Sequence, residues 1–107
     1  MTTSFDLYGF KGATIHSARK YVEGIFGVSL VEKESTYHGG VYYVLKTSES
    51  ENLVLKENAD PFDGGAVEQN FPDFLILLYV NGTSRSSELK VLLQNEGEAF
   101  LLRHEML

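Results

Sequence analysis

Cysteine and tryptophan are missing from this 107-residue chain, proline occurs only twice, and cations number 9 against 15 carboxylates. Each shortage removes a class of explanation. Without cysteine there is no disulfide framework and no thiolate metal site. The longest apolar run, Phe74 to Val80, has seven residues, far short of the ~20 that carry a helix across a bilayer. The opening Met-Thr-Thr-Ser-Phe-Asp has neither the cationic start nor the apolar stretch of a secretory signal, so the cytoplasm is the expected location and no membrane is an expected partner. The cations are scattered, with only Arg19 and Lys20 adjacent. That argues against nucleic acid as a direct ligand, because phosphate binding needs clustered Lys and Arg.

What is present fits one ordinary globular domain spanning residues 1–107: 43% hydrophobic and 22% charged residues over a length typical of a single core. The charge is unevenly placed. Residues 49–73 hold Glu49, Glu51, Glu57, Asp60, Asp63, Glu68 and Asp73 against Lys56, a net of −6 that equals the whole chain's −6. The remainder therefore sums to zero. A segregated block of this kind creates a field that a cationic partner feels before contact. The plainer explanation, a solubilised loop, leaves its phenylalanines unexplained.

Periodicity places the elements. Phe5–Tyr8 alternates as a strand. Ile15, Ala18, Val22 and Ile25 recur at helical spacing, with Thr14 as N-cap and Gly27 as the left-handed stop, predicting a helix over 15–26. Val28–Tyr37, Val41–Thr47 and Leu53–Glu57 read as strands of an antiparallel meander. A two-residue Gly39-Gly40 turn would set Tyr37 opposite Tyr42. Asn58–Asp73 contains both prolines and the Asp63-Gly64-Gly65 turn signal and reads as loop. Phe74–Val80, apolar on both sides, fits a covered strand ended by Asn81-Gly82. Thr83 or Ser84 then caps a second helix to Gln94, with Leu89, Leu92 and Leu93 inward and Glu88 and Lys90 outward. Ala99–Met106 closes the chain as a strand. The order β-α-β-β-β-loop-β-α-β predicts an α+β fold, two helices packed on a mainly antiparallel sheet. The sheet is mixed if the last strand returns beside Phe74–Val80.

No catalytic or cofactor motif stands out. His16, His38 and His104 lack zinc spacing. The run from Asn58 to Gly64 fails the calcium-loop pattern. No serine sits in a nucleophile elbow, and neither glycine pair has phosphate-loop spacing. A Ser-His-Asp triad can be assembled in space from almost any sequence, so its components carry little weight. No catalytic residue, metal or cofactor is expected. The acidic segment mixes carboxylates with Phe62, Val67, Phe71 and Phe74, and aromatic anchors ringed by charge have the composition of an interface. Phe71 and Phe74 read as tucked onto the core, and Phe62 as the exposed anchor.

In Tyr37-His-Gly-Gly-Val-Tyr-Tyr43, the acidic run Asn58–Asp73 and the apolar Phe74–Val80 leading into Asn81-Gly82-Thr83, the chain resembles the immunity proteins of bacterial contact-dependent growth-inhibition systems. These stretches cover about a third of the chain. The resemblance implies a cytoplasmic antidote, not an enzyme, that binds the toxin domain of a secreted adhesin, and a basic nuclease acting on tRNA or DNA is the expected partner. Such families share no diagnostic motif, so the expected contacts come from charge and aromaticity alone: Glu57, Asp60, Phe62, Asp63, Glu68 and Asp73. The alternatives are a small ligand-binding or enzymatic domain with a tyrosine-lined pocket, and a module that oligomerises through the meander edge.

Overall fold

A computed structural model describes residues 3–35, 40–60, 62 and 64–106. Six strands and two helices follow in the order β1 (Ser4–Phe10), α1 (Ile15–Phe26), β2 (Val31–Ser35), β3 (Gly40–Lys46), β4 (Asn52–Glu57), β5 (Ile76–Thr83), α2 (Ser86–Gln94) and β6 (Ala99–Met106). They form the expected α+β fold, two helices on one six-stranded sheet of order β2-β3-β4-β5-β1-β6. Every pairing is antiparallel. The mixed alternative therefore fails: β6 lies beside β1, antiparallel to it, and not beside β5.

Local chemistry explains the helix ends. Thr14 and Ser17 form a reciprocal capping box at the start of α1, and Gly27 (φ 66°) closes it with its N–H on the Glu23 carbonyl. Ala18 and Val22 are buried, while Ile15, Tyr21 and Ile25 pack against the core's margin. The second helix starts later than the hydroxyls suggest. Thr83 stays in the strand, where its Oγ1 accepts the Arg85 N–H at 3.1 Å. Arg85 occupies the cap position without a side-chain cap bond, since a guanidinium has no acceptor for the helix N–H groups; it is held instead by the buried Glu51 carboxylate at 3.1 Å. Leu89 and Leu93 are buried, but Leu92 is 46% exposed, contrary to the inward position expected of it.

Two further expectations are corrected by register. Asn81-Gly82 does not end β5. Gly82 (φ 66°) is skipped between the pairs Ser4–Thr83 and Phe5–Asn81, a bulge that lets the strand continue. A Cβ there would lie 2.1 Å from the Ser50 carbonyl oxygen, so glycine is also needed for close backbone approach. Tyr42 has Lys33 as its partner across β2 and β3, not Tyr37, so the register is not the one a Gly39-Gly40 turn would set. Tyr37, His38 and Gly39 themselves lie outside the described residues. The strand predicted from Val28 begins at Val31, and Leu30 before it is buried with its N–H on Glu23 Oε2 at 2.7 Å.

Both helices cover one face. Tyr8, Phe10, Tyr43, Leu53, Leu55, Leu78, Val80 and Ala99 meet Ala18, Val22, Leu89 and Leu93 there. Tyr21 Oη donates to the Leu93 carbonyl at 2.6 Å and ties the helices together. The opposite face has no helix, yet Leu7 and Leu77 on it are buried. The segment between β4 and β5 lies on that face, with Phe74 over Gly9 and Glu68 on the Tyr79 hydroxyl.

Candidate functional site

The acidic segment is a folded strap, not a free loop. Its anchor is Asn58. The Asn58 Nδ2 group donates to the carbonyls of Phe71 (3.0 Å) and Phe74 (2.8 Å), while Oδ1 accepts the Glu68 N–H at 2.9 Å. One side chain thus holds three points of the chain ten to sixteen residues away. Leu75 N–H donates to the Phe10 carbonyl and Asn58 N–H to the Leu75 carbonyl, which stitches both ends of the strap to the sheet. Within it, Asp60 and Gly65 are joined by a 2.7 Å backbone bond.

Aromatic packing fixes the strap from below. The Phe74 ring lies over Gly9, where any Cβ would come within 2.6 Å of it. It meets Phe71 and Phe100 edge-on, and Lys11 Nζ stands 5.3 Å above its face. Phe71 and Phe74 are therefore tucked in, as expected of them.

The carboxylates divide into two groups. Glu68 points at the sheet, accepting Tyr79 Oη at 2.6 Å and Arg103 Nη1 at 3.0 Å. Burial pushes its pKa upward, but the bonds from Arg103 and Tyr79 and the charges of Arg103 and Lys56 outweigh it and leave it lowered. Burial, with the bond to Glu68, raises the Tyr79 phenol pKa. Lys56, almost fully buried beneath the strap, has its pKa lowered by burial against the pull of Glu68 and Asp60. Glu51, also buried, belongs to the Arg85 pair.

The other group faces outward. Glu49, Glu57 and Asp73 are exposed and Asp60 is half-buried, its Oδ1 accepting the Phe62 N–H at 2.8 Å. Phe62 is 77% exposed and Leu75 58%. Of the six expected contacts, Glu57, Asp60, Phe62 and Asp73 lie on the surface, and Glu68 braces the strap from within. Asp63, like Pro61, lies outside the described residues.

A second constellation escaped the sequence. Asp6 on β1 is 2% exposed. Its Oδ1 meets His104 Nδ1 of β6 at 2.5 Å and its Oδ2 accepts the Ser86 hydroxyl of α2 at 2.5 Å. Ser86 Oγ lies 3.3 Å from the same His104 nitrogen. An ionised carboxylate only accepts, so His104 carries its Nδ1 proton toward Asp6 and Nε2 is the nitrogen left over. This is not a nucleophilic triad, since serine and aspartate share one ring nitrogen. The three residues come from positions 6, 86 and 104, and no motif or spacing in the sequence joins them. His104 and Ser86 line a cavity of about 520 Å³ with no tyrosine among its described lining residues, while Tyr21 lines a smaller one of about 240 Å³.

Among the described residues, no group of three or more His, Cys, Asp or Glu side chains is placed to hold a metal, and no helix is long and apolar enough to cross a membrane. No family model matches the chain, and comparison with curated proteins and with solved structures finds no significant match.

Proposed function

We propose that this protein is a non-enzymatic cytoplasmic antidote, an immunity protein that docks onto a basic toxin domain through the outer surface of the strap. The observation that carries this reading is Phe62, an aromatic residue 77% exposed within an acidic segment that Asn58 and Phe74 anchor to the sheet. A pre-ordered aromatic anchor loses little entropy on binding and fills a partner's pocket. The outward carboxylates Glu57, Asp60 and Asp73, with Asp63, add the steering field for a cationic surface such as a nuclease presents to phosphate. Glu68 acts in this scheme as the brace that orders the strap. Neither nucleic acid nor a cofactor has a place in it.

The test is capture by the purified chain from its native cell, at low and high salt, in parallel with two variants. The wild type should retain a basic protein that salt releases and that is toxic when expressed alone. Phe62→Ala should speed dissociation. The triple change Glu57→Gln, Asp60→Asn and Asp73→Asn should slow association on the order of tenfold at low ionic strength and flatten its salt dependence. Equal rates for the wild type and both variants would remove the strap as the docking surface.

A further inference from the structure

The cavity beside Asp6, Ser86 and His104 takes no part in that docking surface, and its chemistry runs against the rest of the molecule. Carboxylates outnumber cations 15 to 9 in the chain, yet among the described residues no Asp or Glu lines this cavity. Its charged or chargeable side chains are Lys90 and His104. Thr3, Ser84 and Ser87 line the same space, and Leu101 and Met106 supply apolar wall. Every side-chain polar group named here is able to donate a hydrogen bond. Asp6 is spent: it is buried, and both its oxygens are occupied by His104 and Ser86.

We propose that this cavity binds a small ligand through an oxyanion, a phosphate or carboxylate group, with Lys90 Nζ as its charged donor and His104 Nε2 as a second donor when the ring carries both protons. Asp6 is the positioning residue. By accepting from Nδ1–H it fixes the imidazole ring, and a carboxylate beside the ring favours the doubly protonated form in which Nε2–H can donate to the oxyanion. Ser86 completes the clamp by bonding the second Asp6 oxygen, which stops the carboxylate from rotating away. A volume of about 520 Å³ lies within the ~300–1,000 Å³ typical of small-molecule sites, so the group that is recognised belongs to a molecule larger than the bare anion. In a chain of net charge −6, non-specific attraction of anions is disfavoured, and any saturable binding needs a built site.

The full-length chain is titrated with inorganic phosphate, and separately with succinate, at fixed pH and ionic strength, while the histidine ring signals are followed by NMR. The expected result is a saturable shift of the His104 ring with one or both anions and no shift at the exposed His16. Lys90→Ala, on an exposed helical position, should fold normally and weaken the binding about tenfold, the loss of one charge-assisted hydrogen bond. His104→Gln should abolish the saturable shifts of the Ser86 and Ser87 amides. The proposal is overturned if chloride at the same ionic strength moves His104 equally, if neither anion gives saturation, or if Lys90→Ala leaves the affinity unchanged.

Discussion

Glu68 and Arg103, thirty-five residues apart, are joined by two hydrogen bonds, Nη1 to Oε1 at 3.0 Å and Nη2 to Oε2 at 3.4 Å. The pair links the strap to β6 across the helix-free face, and Tyr79 from β5 shares the same carboxylate. Charge-assisted bonds of this kind contribute ~1.5–3 kcal/mol when shielded, and solvent at Arg103 reduces that here. Glu68→Gln should therefore cost about 1–2 kcal/mol in denaturant unfolding. The native pKa of Glu68 is lowered from its ordinary 4.5. Its contribution is thus complete above that value and is lost as pH falls through the lower native one. Stability measured downward from pH 5 should fall more steeply in the wild type than in Glu68→Gln.

Asn58 makes a stronger prediction. Asn58→Ala removes three hydrogen bonds and leaves the carbonyls of Phe71 and Phe74 and the Glu68 N–H without that partner. At roughly 1 kcal/mol for each partly buried group, the loss should be about 2–3 kcal/mol. Amide exchange at Glu68 should accelerate far more than at β4 or β5, because the strap opens before the sheet does.

Two glycines should respond in opposite directions to the same change. Gly24 is exposed inside α1, and a Cβ there meets nothing within 4 Å. Gly24→Ala should raise stability by ~0.5–1 kcal/mol through helix propensity. Gly82→Ala combines a left-handed backbone with a 2.1 Å clash against Ser50 and should cost at least ~3 kcal/mol. Paired thermal melts of the two variants provide the check.

Tyr8 is completely buried, and its hydroxyl finds no hydrogen-bond partner among the described residues. Burial, reinforced by the Asp6 charge, raises its pKa. Tyr8→Phe keeps the ring and discards a desolvated hydroxyl. Its stability should equal the wild type or exceed it by up to ~1 kcal/mol, measured by chemical unfolding.

The elements that could be read from sequence are those whose signals are local. Thr14 and Gly27 bracket α1 at the residues where it begins and ends, and Ala99–Met106 is the strand that its composition predicts. The misreadings come from signals that two structures share. Asn81-Gly82 has the composition of a turn, but a left-handed glycine serves equally as a bulge inside a strand. Gly39-Gly40 has hairpin composition, yet register depends on how many residues the link uses, and Tyr42 faces Lys33. At the candidate surface, the exposure of Phe62 followed from its flanking proline and acid. The inward turn of Glu68 did not, because its partners Tyr79 and Arg103 reach it only after the sheet has assembled. The Asp6, Ser86 and His104 cluster was equally hidden, since each residue alone is ordinary.

The position of β1 between β5 and β6 has a kinetic consequence. Ser4 bonds to a residue 79 positions downstream, and Asp6 to one 98 positions downstream. At ribosomal speeds of ~5–20 residues per second, β1 therefore waits roughly 5–20 s before both neighbours have been synthesised. Through that interval Leu7, Tyr8 and Phe10 form a bare, unpaired strand on the nascent chain, the stretch on which a trigger for misassembly, or a chaperone's grip, would first act.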